Sequence, residues 1–442
     1  MPRNSDNPGF RVQRITIALL LAACLTTHST VASEGDAATR IDQIMASRYP
    51  KDAPGAVVLA ARQGEVVLRR AYGLANLELQ VPVQPEMVFG LASVTKVFTA
   101  VAALKLVDQG KLRLDEKVVD YLPNLTNAKG VTIAHLMSHT SGMTGPAAEV
   151  PGYRVENIHR EVTSEDLVAT YADFPLLFEP GERYKYSNEG MATLARIVEI
   201  ASEQSWEDFL RQHIFEPAGM RSTYYGGHRR VIPQAVSGYT QHDDGWRQAR
   251  QVSLTRGFGM GGLFSTVDDL FAFHNALIAG NLVKPKTLEA MLTPYPLIDG
   301  GHSRYGYGFV VVNRSGNKFV GHGGALPGMS TFVGILPEHE VFVTVLTSRT
   351  PRPIPAREAA EAILDVLVGA EHVQATQSDH GAEQGSSALP PMLARFDTDG
   401  DGRVSEAEAP PRLKGRFSSI DTNRDGHIDT NEANAMRQRM GR

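Results

Sequence analysis

The segment LASVTKVFTAVAALKLV, residues 91–107, decides the fold that we expect for this chain. Its first turn carries Ser93 and Lys96, and apolar residues then follow on nearly every side, which is typical of a helix buried inside a domain. Gly110 follows the last apolar residue and suits the left-handed position that ends a helix. We therefore predict a buried helix that begins beside Ser93 and ends before Gly110.

Ser93 and Lys96 stand three residues apart, so both side chains lie on one face of the predicted helix. A serine hydroxyl needs a neighbouring base to act as a nucleophile near neutral pH. A lysine removed from water loses enough basicity to take the seryl proton. The pair therefore predicts a serine hydrolase, whereas a solvated helix face, the structural alternative, does not agree with the buried pattern around it.

Two further motifs follow in the chain. Tyr186-Ser187-Asn188 lies in a polar loop that enters a helix predicted at residues 191–201, and His322-Gly323-Gly324 follows a predicted strand. Taken singly, Tyr186 is typical of a half-buried tyrosine and Asn188 of a helix cap. Their order after the serine-lysine pair makes them informative.

In order and separation, the three motifs resemble the Ser-x-x-Lys, Tyr-x-Asn and Lys/His-x-Gly motifs of the serine β-lactamase and penicillin-binding-protein superfamily, in its class C, DD-peptidase and esterase branch. Residues 135–142 and 261–270 resemble that family's His-Leu-Leu-x-His-Thr-Ser-Gly and Gly-Gly-Leu-x-Ser-Thr segments. The resemblance covers residues 36–369. It implies an α/β (α+β) fold, an α/β/α sandwich with an antiparallel sheet and a helical region.

The resemblance also implies a role for the residues of the first two motifs. Ser93 attacks a carbonyl carbon and forms an acyl-enzyme, while Lys96 and the Tyr186 phenol share the proton transfers, and either of them is the base. Asn188 hydrogen-bonds Lys96 and the substrate amide. The predicted enzyme needs no cofactor for catalysis.

The third motif departs from the β-lactamase pattern. The resemblance implies an oxyanion hole formed by the backbone N–H groups of Ser93 and Ala325, with Gly323 and Gly324 leaving room for the substrate. His322 replaces the usual lysine and Gly323 the usual threonine, so a fixed cation and a hydroxyl for a β-lactam carboxylate are missing. We expect His322 to supply partial charge and a hydrogen bond instead.

The expected substrates are therefore small molecules or peptidoglycan-like D-amino-acid peptides, amides or esters. Two alternatives stay open: a class C-like β-lactamase, and a non-catalytic, calcium-dependent protein that binds cell-wall peptide. A zinc site on His135 and His139 is disfavoured because Leu136 stands where a zinc protease has its glutamate. No Gly-x-Ser-x-Gly motif occurs, which argues against an α/β-hydrolase.

Strands are predicted near both ends of a hydrolase domain at residues 35–370. Residues 56–61 and 65–69 flank Gln63-Gly64 as a hairpin. Further strands are predicted at residues 307–313, 318–321, 331–336 and 341–347, with a closing helix at 356–367. The ends of the domain are thus expected to build one sheet, with helices inserted between them.

Two twelve-residue segments near the end of the chain, 397–408 and 421–432, fit the EF-hand calcium loop. Carboxylates recur at alternate positions and a glycine occupies position 6, where the loop turns sharply. Val404 and Ile428 are expected to pair the two loops through a short β-bridge. The predicted ligands of two calcium ions are Asp397, Asp399, Asp401, Arg403 and Glu408 in the first loop and Asp421, Asn423, Asp425, His427, Asp429 and Glu432 in the second.

The remaining segments fit an exported protein. Residues 371–388 lack aromatic side chains and predict a linker before a small all-α EF-hand module at 389–442. Residues 1–33 predict a signal peptide, because arginines precede a short apolar run at 15–23. That run ends in a bacterial lipobox at Cys24, the one cysteine of the chain, which predicts attachment to a membrane by lipid.

Cleavage after Ser33, giving a soluble product, is the alternative to the lipoprotein. Both interpretations place the protein in the periplasm or at the cell surface of a bacterium. The net charge of −5 gives no electrostatic reason to expect a nucleic-acid partner. With 42% hydrophobic residues among 442, the chain has the composition of an ordinary globular protein.

Overall fold

The computed structural model describes residues 34–145, 159–226, 230–350, 355–369, 403–406, 408–409, 414, 417–421, 425–429 and 432. The predicted signal peptide with Cys24 and the predicted linker lie outside these residues. The chain divides between His372 and Val373 into two compact units. Among the described helices, none has the length and apolar character that a membrane span requires.

A six-stranded antiparallel sheet forms the centre of the first unit. Its strands are β1 (Ala56–Arg62), β2 (Glu65–Tyr72), β3 (Val310–Arg314), β4 (Asn317–Leu326), β5 (Met329–Leu336) and β6 (Val341–Thr347). They lie in the order β3-β4-β5-β6-β1-β2. Strand β6 pairs with β1, with Ala56 opposite Thr347, so the two ends of the unit meet in one sheet as predicted.

The hairpin between β1 and β2 turns through Gln63 and Gly64, whose φ angles are 53° and 80°. Two consecutive positive φ angles are typical of a turn that matches the twist of an antiparallel pair. Side chains then alternate along β1, with Val57 and Leu59 in one apolar core and Val58 in the other. The sheet is therefore buried on both faces.

Helices cover both faces of the sheet. Within the described residues the five long helices are α1 (Glu34–Arg48), α2 (Thr95–Asp108), α3 (Asn188–Ser202), α4 (Val267–Ile278) and α5 (Pro355–Val368). One core joins the sheet to α1 and α5, through side chains such as Ile41 and Ile363. The other core joins the opposite face to α2, α3 and α4, so the predicted α/β/α sandwich with a helical region is confirmed.

Short elements connect the long ones in the described part of the first unit. Its short helices are Val118–Tyr121, Ile133–Met137, Ser164–Ala169, Trp206–Leu210, Glu216–Ala218 and Pro285–Met291, with a π-helical turn at Arg211–Phe215 and 3-10 turns at Ala92–Val94, Thr126–Ala128, Leu254–Gly257 and Pro337–His339. Its short strands are Leu74–Asn76, Val81–Pro82, Phe89–Gly90, Tyr224–Tyr225, Tyr239–His242, Gly245–Gln248, Leu263–Ser265 and Arg349–Thr350.

The predicted central helix is α2. It is buried along most of its length, and Gly110 adopts a left-handed φ of 72° just after it, as predicted. Ser93 differs from the prediction, because it lies in the 3-10 turn Ala92–Val94 before the helix and not in the helix itself. Ala92 has a φ of 49°, an uncommon value for a residue with a side chain, so the backbone turns sharply just before Ser93.

In the second unit the two predicted calcium loops meet. The strands Val404–Ser405 and His427–Ile428 form an antiparallel pair, with Val404 opposite Ile428, and a helix spans Phe417–Ile420. Val404 and Ile428 are both fully buried. The predicted β-bridge between the loops is therefore confirmed.

Candidate active site

Two neighbouring strands hold the turn that carries Ser93. The Leu91 N–H donates to the Leu263 carbonyl at 2.8 Å, and the Leu91 carbonyl accepts from Thr331 Oγ1 at 2.7 Å. Thr331 belongs to β5, whereas Leu263 begins the segment Leu263–Ser265. These hydrogen bonds fix the turn on both sides, and Ser93 itself is half-buried.

Lys96 lies beside Ser93 as predicted. Its Nζ atom is 3.2 Å from Ser93 Oγ and donates to the Met260 carbonyl at 2.7 Å. The side chain is fully buried, and this burial lowers the pKa of Lys96 to about 7, against the opposing charge of Glu189. Near neutral pH a large fraction of the lysine is therefore an uncharged amine that can accept a proton.

Tyr186 approaches the same lysine. Lys96 Nζ lies 4.9 Å from the centre of the Tyr186 ring. Burial raises the pKa of Tyr186, while a hydrogen bond with the Ser93 side chain opposes that shift. The residue as a whole is 38% exposed, and because its pKa is raised the hydroxyl stays protonated at neutral pH.

Asn188 does not make the predicted contact with Lys96. It is the first residue of α3 and is exposed, and among the described residues Lys96 has hydrogen bonds to Ser93 and Met260 instead. The helix cap is Ser187, whose Oγ accepts from the Gly190 N–H at 2.9 Å. The Asn188 side chain is exposed, and the Met260 carbonyl, which is distant in sequence, binds Lys96 in place of the predicted amide.

The third motif passes directly beside the Ser93 turn. A Cβ atom on Gly324 would come within 2.4 Å of the Leu91 carbonyl oxygen, so only glycine allows this approach. Strand β3 pairs with β4 only as far as Gly321, and residues 322–326, including Ala325, continue beyond that pairing. Where residues 322–326 pass the nucleophile, their backbone is therefore not paired with β3.

His322 is neutral, contrary to the partial charge that we predicted. It is 4% exposed, and burial, with a smaller contribution from Lys96, lowers its pKa to about 3. Its Nδ1 atom contacts the Gly323 carbonyl oxygen at 2.7 Å. A buried histidine beside another basic group does not hold a proton at neutral pH, so the third motif presents no cation.

Two residues of the site were missed by sequence reasoning. His139 and Tyr305 are fully buried, and their rings lie 4.6 Å apart. The His139 ring also lies 4.4 Å from the Tyr186 ring. His139 belongs to the segment 135–142. The resemblance of that segment to the family's His-Leu-Leu-x-His-Thr-Ser-Gly segment was the available sequence signal for His139. Tyr305 lies in the segment before β3 and gave no such signal.

His135 and His139 do not share a helix face. The short helix Ile133–Met137 ends before His139, which has a left-handed φ of 57°. Within the described parts of the chain, the one group of side chains suited to a metal ion consists of Asp421, Asp425 and Glu432. The two histidines therefore do not form the helical i, i+4 pair that a zinc site would use.

The carboxylates of Asp421, Asp425 and Glu432 offer oxygen atoms within 4.8 Å of one another. An all-oxygen donor set fits calcium, which prefers hard ligands. Asp429 Oδ1 accepts from the Glu432 N–H at 2.9 Å, and in the first loop Glu408 Oε2 accepts from the Ser405 N–H at 2.9 Å. Arg403 and His427 lie in or beside the paired strands, whereas Asp397, Asp399, Asp401 and Asn423 lie outside the described residues.

The fold and the Ser93–Lys96–Tyr186 geometry together define a serine hydrolase. The Beta-lactamase family model matches residues 38–368, and the EF hand model matches residues 392–408 and 413–433. The chain is 31% identical over 334 residues to penicillin-binding protein 4* of Bacillus subtilis (strain 168), a match that covers 72% of this chain and 71% of that protein. The chain belongs to the beta-lactamase family.

Two further similarities agree with this assignment. The D-aminopeptidase of Gluconobacter oxydans (strain 621H) is 30% identical over 291 residues, which cover 64% of this chain and 53% of that protein. The octameric penicillin-binding protein homologue from Pyrococcus abyssi superimposes with a TM-score of 0.66 at 30% identity, covering 77% of this chain and 78% of the other. Homologues in this family include penicillin-binding proteins and a D-aminopeptidase.

Proposed function

We propose that this protein hydrolyses D-amino-acid peptides, amides or esters through an acyl-enzyme on Ser93. The observation that carries this proposal is the 3.2 Å separation of Ser93 Oγ from the buried, weakly basic amine of Lys96. A nucleophilic serine needs such a base within hydrogen-bond reach. The D-aminopeptidase relative supports D-configured substrates.

In the proposed reaction Lys96 is the base and Tyr186 the proton donor. Ser93 Oγ attacks the carbonyl carbon and its proton passes to Lys96 Nζ, because the amine is uncharged near pH 7 while the phenol is protonated. The backbone N–H groups of Ser93 and Ala325 stabilise the oxyanion. Collapse breaks the bond to the leaving group, which takes a proton from Tyr186, and Lys96 returns the proton to the phenolate. Water then hydrolyses the acyl-enzyme.

The uncharged third motif supports amides and esters over β-lactams. A cation that fixes the substrate carboxylate is part of the β-lactamase pattern, and His322 here is buried and neutral. We therefore propose that the site favours acyl groups whose binding needs no fixed cation at this strand. A class C-like β-lactamase and a non-catalytic peptide-binding protein are the competing functions.

A labelling and turnover screen tests the proposal. A fluorophosphonate should label the wild-type protein and not Ser93→Ala, and turnover should fall by at least about a thousandfold in that variant. Circular dichroism checks that the variant is folded. The screen then compares D-amino-acid amides, short esters and cephalosporins by kcat/KM. Faster hydrolysis of cephalosporins than of every amide and ester would establish the β-lactamase, and labelling without turnover would establish the binding protein.

We also propose that the C-terminal unit binds two calcium ions, one in each loop. The EF hand match and the converging oxygens of Asp421, Asp425 and Glu432 support this assignment. Calcium neutralises the negative charge of these carboxylates and takes no part in the acyl transfer. The ions are therefore structural in this proposal.

Export to the periplasm or cell surface is a further proposal, as is a lipid on Cys24. Both are supported by the sequence of residues 1–33, with its arginines, its short apolar run and its lipobox. Globomycin, which blocks lipoprotein signal cleavage, should leave an unprocessed precursor in a bacterial host. If Cys24→Ser is processed and released like the wild type, cleavage occurs after Ser33 and the protein is secreted without lipid.

A further inference from the structure

Three buried polar atoms beneath the catalytic residues have no part in the proposed reaction. They are His139 Nε2, the Tyr305 hydroxyl and His322 Nε2, and none of them has a hydrogen-bond partner among the described residues. The exposed fractions of these side chains are 0%, 0% and 4%. Because an unpaired buried polar atom destabilises a fold, three of them at one place need an explanation.

The three side chains form one cluster around Tyr186. The Tyr305 ring lies 4.6 Å from the His139 ring and 5.8 Å from the His322 ring. The Tyr186 ring lies 4.4 Å from His139 and 6.3 Å from His322. The cluster therefore contacts the catalytic tyrosine and also connects it to the third motif.

His139 holds the backbone on both sides of Tyr186. Its carbonyl oxygen accepts from the Lys185 N–H at 2.9 Å, and its Nδ1 atom accepts from the Ser187 N–H at 3.2 Å. One buried residue thus binds the backbone N–H groups of Lys185 and Ser187, the residues on either side of the catalytic tyrosine. The left-handed φ of 57° at His139 brings its carbonyl and its ring to this loop together.

Hydrogen bonds to Nδ1 also decide which ring nitrogen carries the proton. Because the Ser187 N–H donates to Nδ1 of His139, the proton of the neutral ring is on Nε2, which is a donor. In His322, Nδ1 contacts the Gly323 carbonyl, which only accepts, so the proton is on Nδ1 and Nε2 is an acceptor. The Tyr305 hydroxyl both donates and accepts.

We propose that His139 and Tyr305 are positioning residues for Tyr186, and that the Tyr305 hydroxyl links the His139 donor to the His322 acceptor in one hydrogen-bond relay. None of the three atoms has a direct hydrogen bond among the described residues, so in this proposal bridging water completes the relay between them. The relay holds the Tyr186 loop and the strand of the third motif in a fixed relation. This inference depends on the proposed acyl transfer at Ser93.

Tyr305→Phe tests the relay because it removes one hydroxyl and keeps the ring contacts. We expect kcat on an amide substrate to fall about tenfold, with KM almost unchanged, since one hydrogen bond is lost from a positioning network. Tyr49→Phe is the matched control. Tyr49 is also a buried tyrosine, but it belongs to the core on the other face of the sheet. Equal kcat values for Tyr305→Phe and Tyr49→Phe would overturn the relay.

A double-mutant cycle adds a measurement that a merely structural role would not change. His139→Asn keeps an acceptor for the Ser187 N–H and tolerates the left-handed backbone, but it loses the Nε2 donor. Combined with Tyr305→Phe, it should lower kcat no further than His139→Asn alone, because both changes break the same relay. Effects that multiply would refute the coupling.

Nitrogen NMR of the histidine rings tests the hydrogen-bond relay even if the His139→Asn variant fails to fold. The wild-type spectrum should show His322 protonated on Nδ1, with its Nε2 resonance shifted by an accepted hydrogen bond, and Tyr305→Phe should remove that shift while Tyr49→Phe keeps it. A His322 proton on Nε2 would contradict the relay. If Ser93→Ala retains turnover, the proposed reaction fails as well, whereas an inactive Ser93→Ala with an unchanged Tyr305→Phe refutes only the relay.

Discussion

At the residue scale, the chemistry of the site depends on the burial of basic groups. Lys96, His139 and His322 lie close enough to influence one another electrostatically, and burial lowers the pKa of all three. Lys96 is the one whose pKa, about 7, falls in the physiological range, because its ordinary value is far higher than that of histidine. The histidines therefore stay neutral while the lysine changes its protonation state.

This difference predicts the pH dependence of catalysis. Because the Lys96 amine acts as a base only when uncharged, kcat/KM should fall by about tenfold per pH unit below a pKa near 7 and level off above it. The two buried histidines are neutral both below and above pH 7, so their ionisation does not change kcat/KM in this range. The measurement is kcat/KM for a non-ionising ester between about pH 5 and 9.

Lys96→Met is the control for this profile, since it keeps the length of the side chain and removes the amine. Its residual rate of fluorophosphonate labelling should be low and should not change with pH over the same range. A wild-type profile that is flat through neutral pH would contradict the assignment of Lys96 as the base. A profile that survives unchanged in Lys96→Met would assign the ionisation to another group.

At the element scale, the site is made by the approach of strand β4 to the turn before α2. Gly324 contacts the Leu91 carbonyl, and Thr331 on the neighbouring strand binds the same oxygen. The sheet thus approaches the nucleophile turn closely through the backbone of Gly324 and is hydrogen-bonded to it through the Thr331 hydroxyl. The distance between Ser93 and the edge of the sheet is therefore fixed by a single glycine.

Gly324→Ala should separate these two elements. The new methyl group would meet the Leu91 carbonyl oxygen at 2.4 Å, so the strand or the turn has to shift. We expect kcat to fall by about a hundredfold, the cost typical of a displacement of about 1 Å at a reacting group. Thermal denaturation should show destabilisation of about 1 to 3 kcal/mol from overpacking.

The neighbouring Gly323→Ala is the comparison. There the nearest atom to a new Cβ is Cδ2 of the Phe332 ring at 3.2 Å, which is a side-chain contact that a small movement relieves. Its loss of kcat and of stability should be clearly smaller than that of Gly324→Ala. Equal effects at the two positions would show that close approach to Leu91 does not govern the site.

At the scale of the whole molecule, the chain carries two compact units with different chemistry. The first holds a neutral or weakly basic catalytic centre, whereas the second gathers carboxylates around an expected calcium ion. Carboxylates at this separation repel one another without a cation between them. The stability of the second unit should therefore depend on calcium, and turnover at Ser93 should not.

Calorimetry of the full chain with calcium and with EDTA tests this independence. Calcium should raise the Tm of one transition through binding to the folded state, with little change in kcat. Titration calorimetry should find two ions in the wild type and one in Glu432→Gln, because this substitution removes a ligand of the second loop. Glu406→Gln, which changes an acid outside the coordinating positions, should keep both ions. A large fall of kcat on chelation would mean that calcium regulates the enzyme.

Sequence alone determined the main layout of the catalytic unit. The buried pattern of α2, the hairpin at Gln63-Gly64 and the last strand were predicted close to their observed bounds, because each depends on periodicity or turn chemistry within a few residues. The pairing of Val404 with Ile428 was predicted for the same reason, since loop position fixes it. The strand predicted at residues 318–321 instead continues to Leu326, because its pairing with β5 extends through the glycines of the third motif. The resemblance to a known family then brought Ser93, Lys96, Tyr186 and His322 together.

Tertiary structure decided what depends on neighbours distant in the chain. Met260, and not Asn188, binds Lys96, since a backbone carbonyl has no sequence signature and its position is set by packing. The neutrality of His322 follows from burial and from nearby Lys96, which no local pattern reports. His139 and Tyr305 meet because a left-handed turn and a segment more than a hundred residues later pack around the same tyrosine. Local chemistry therefore set the elements, and long-range packing set the protonation states and partners within the site.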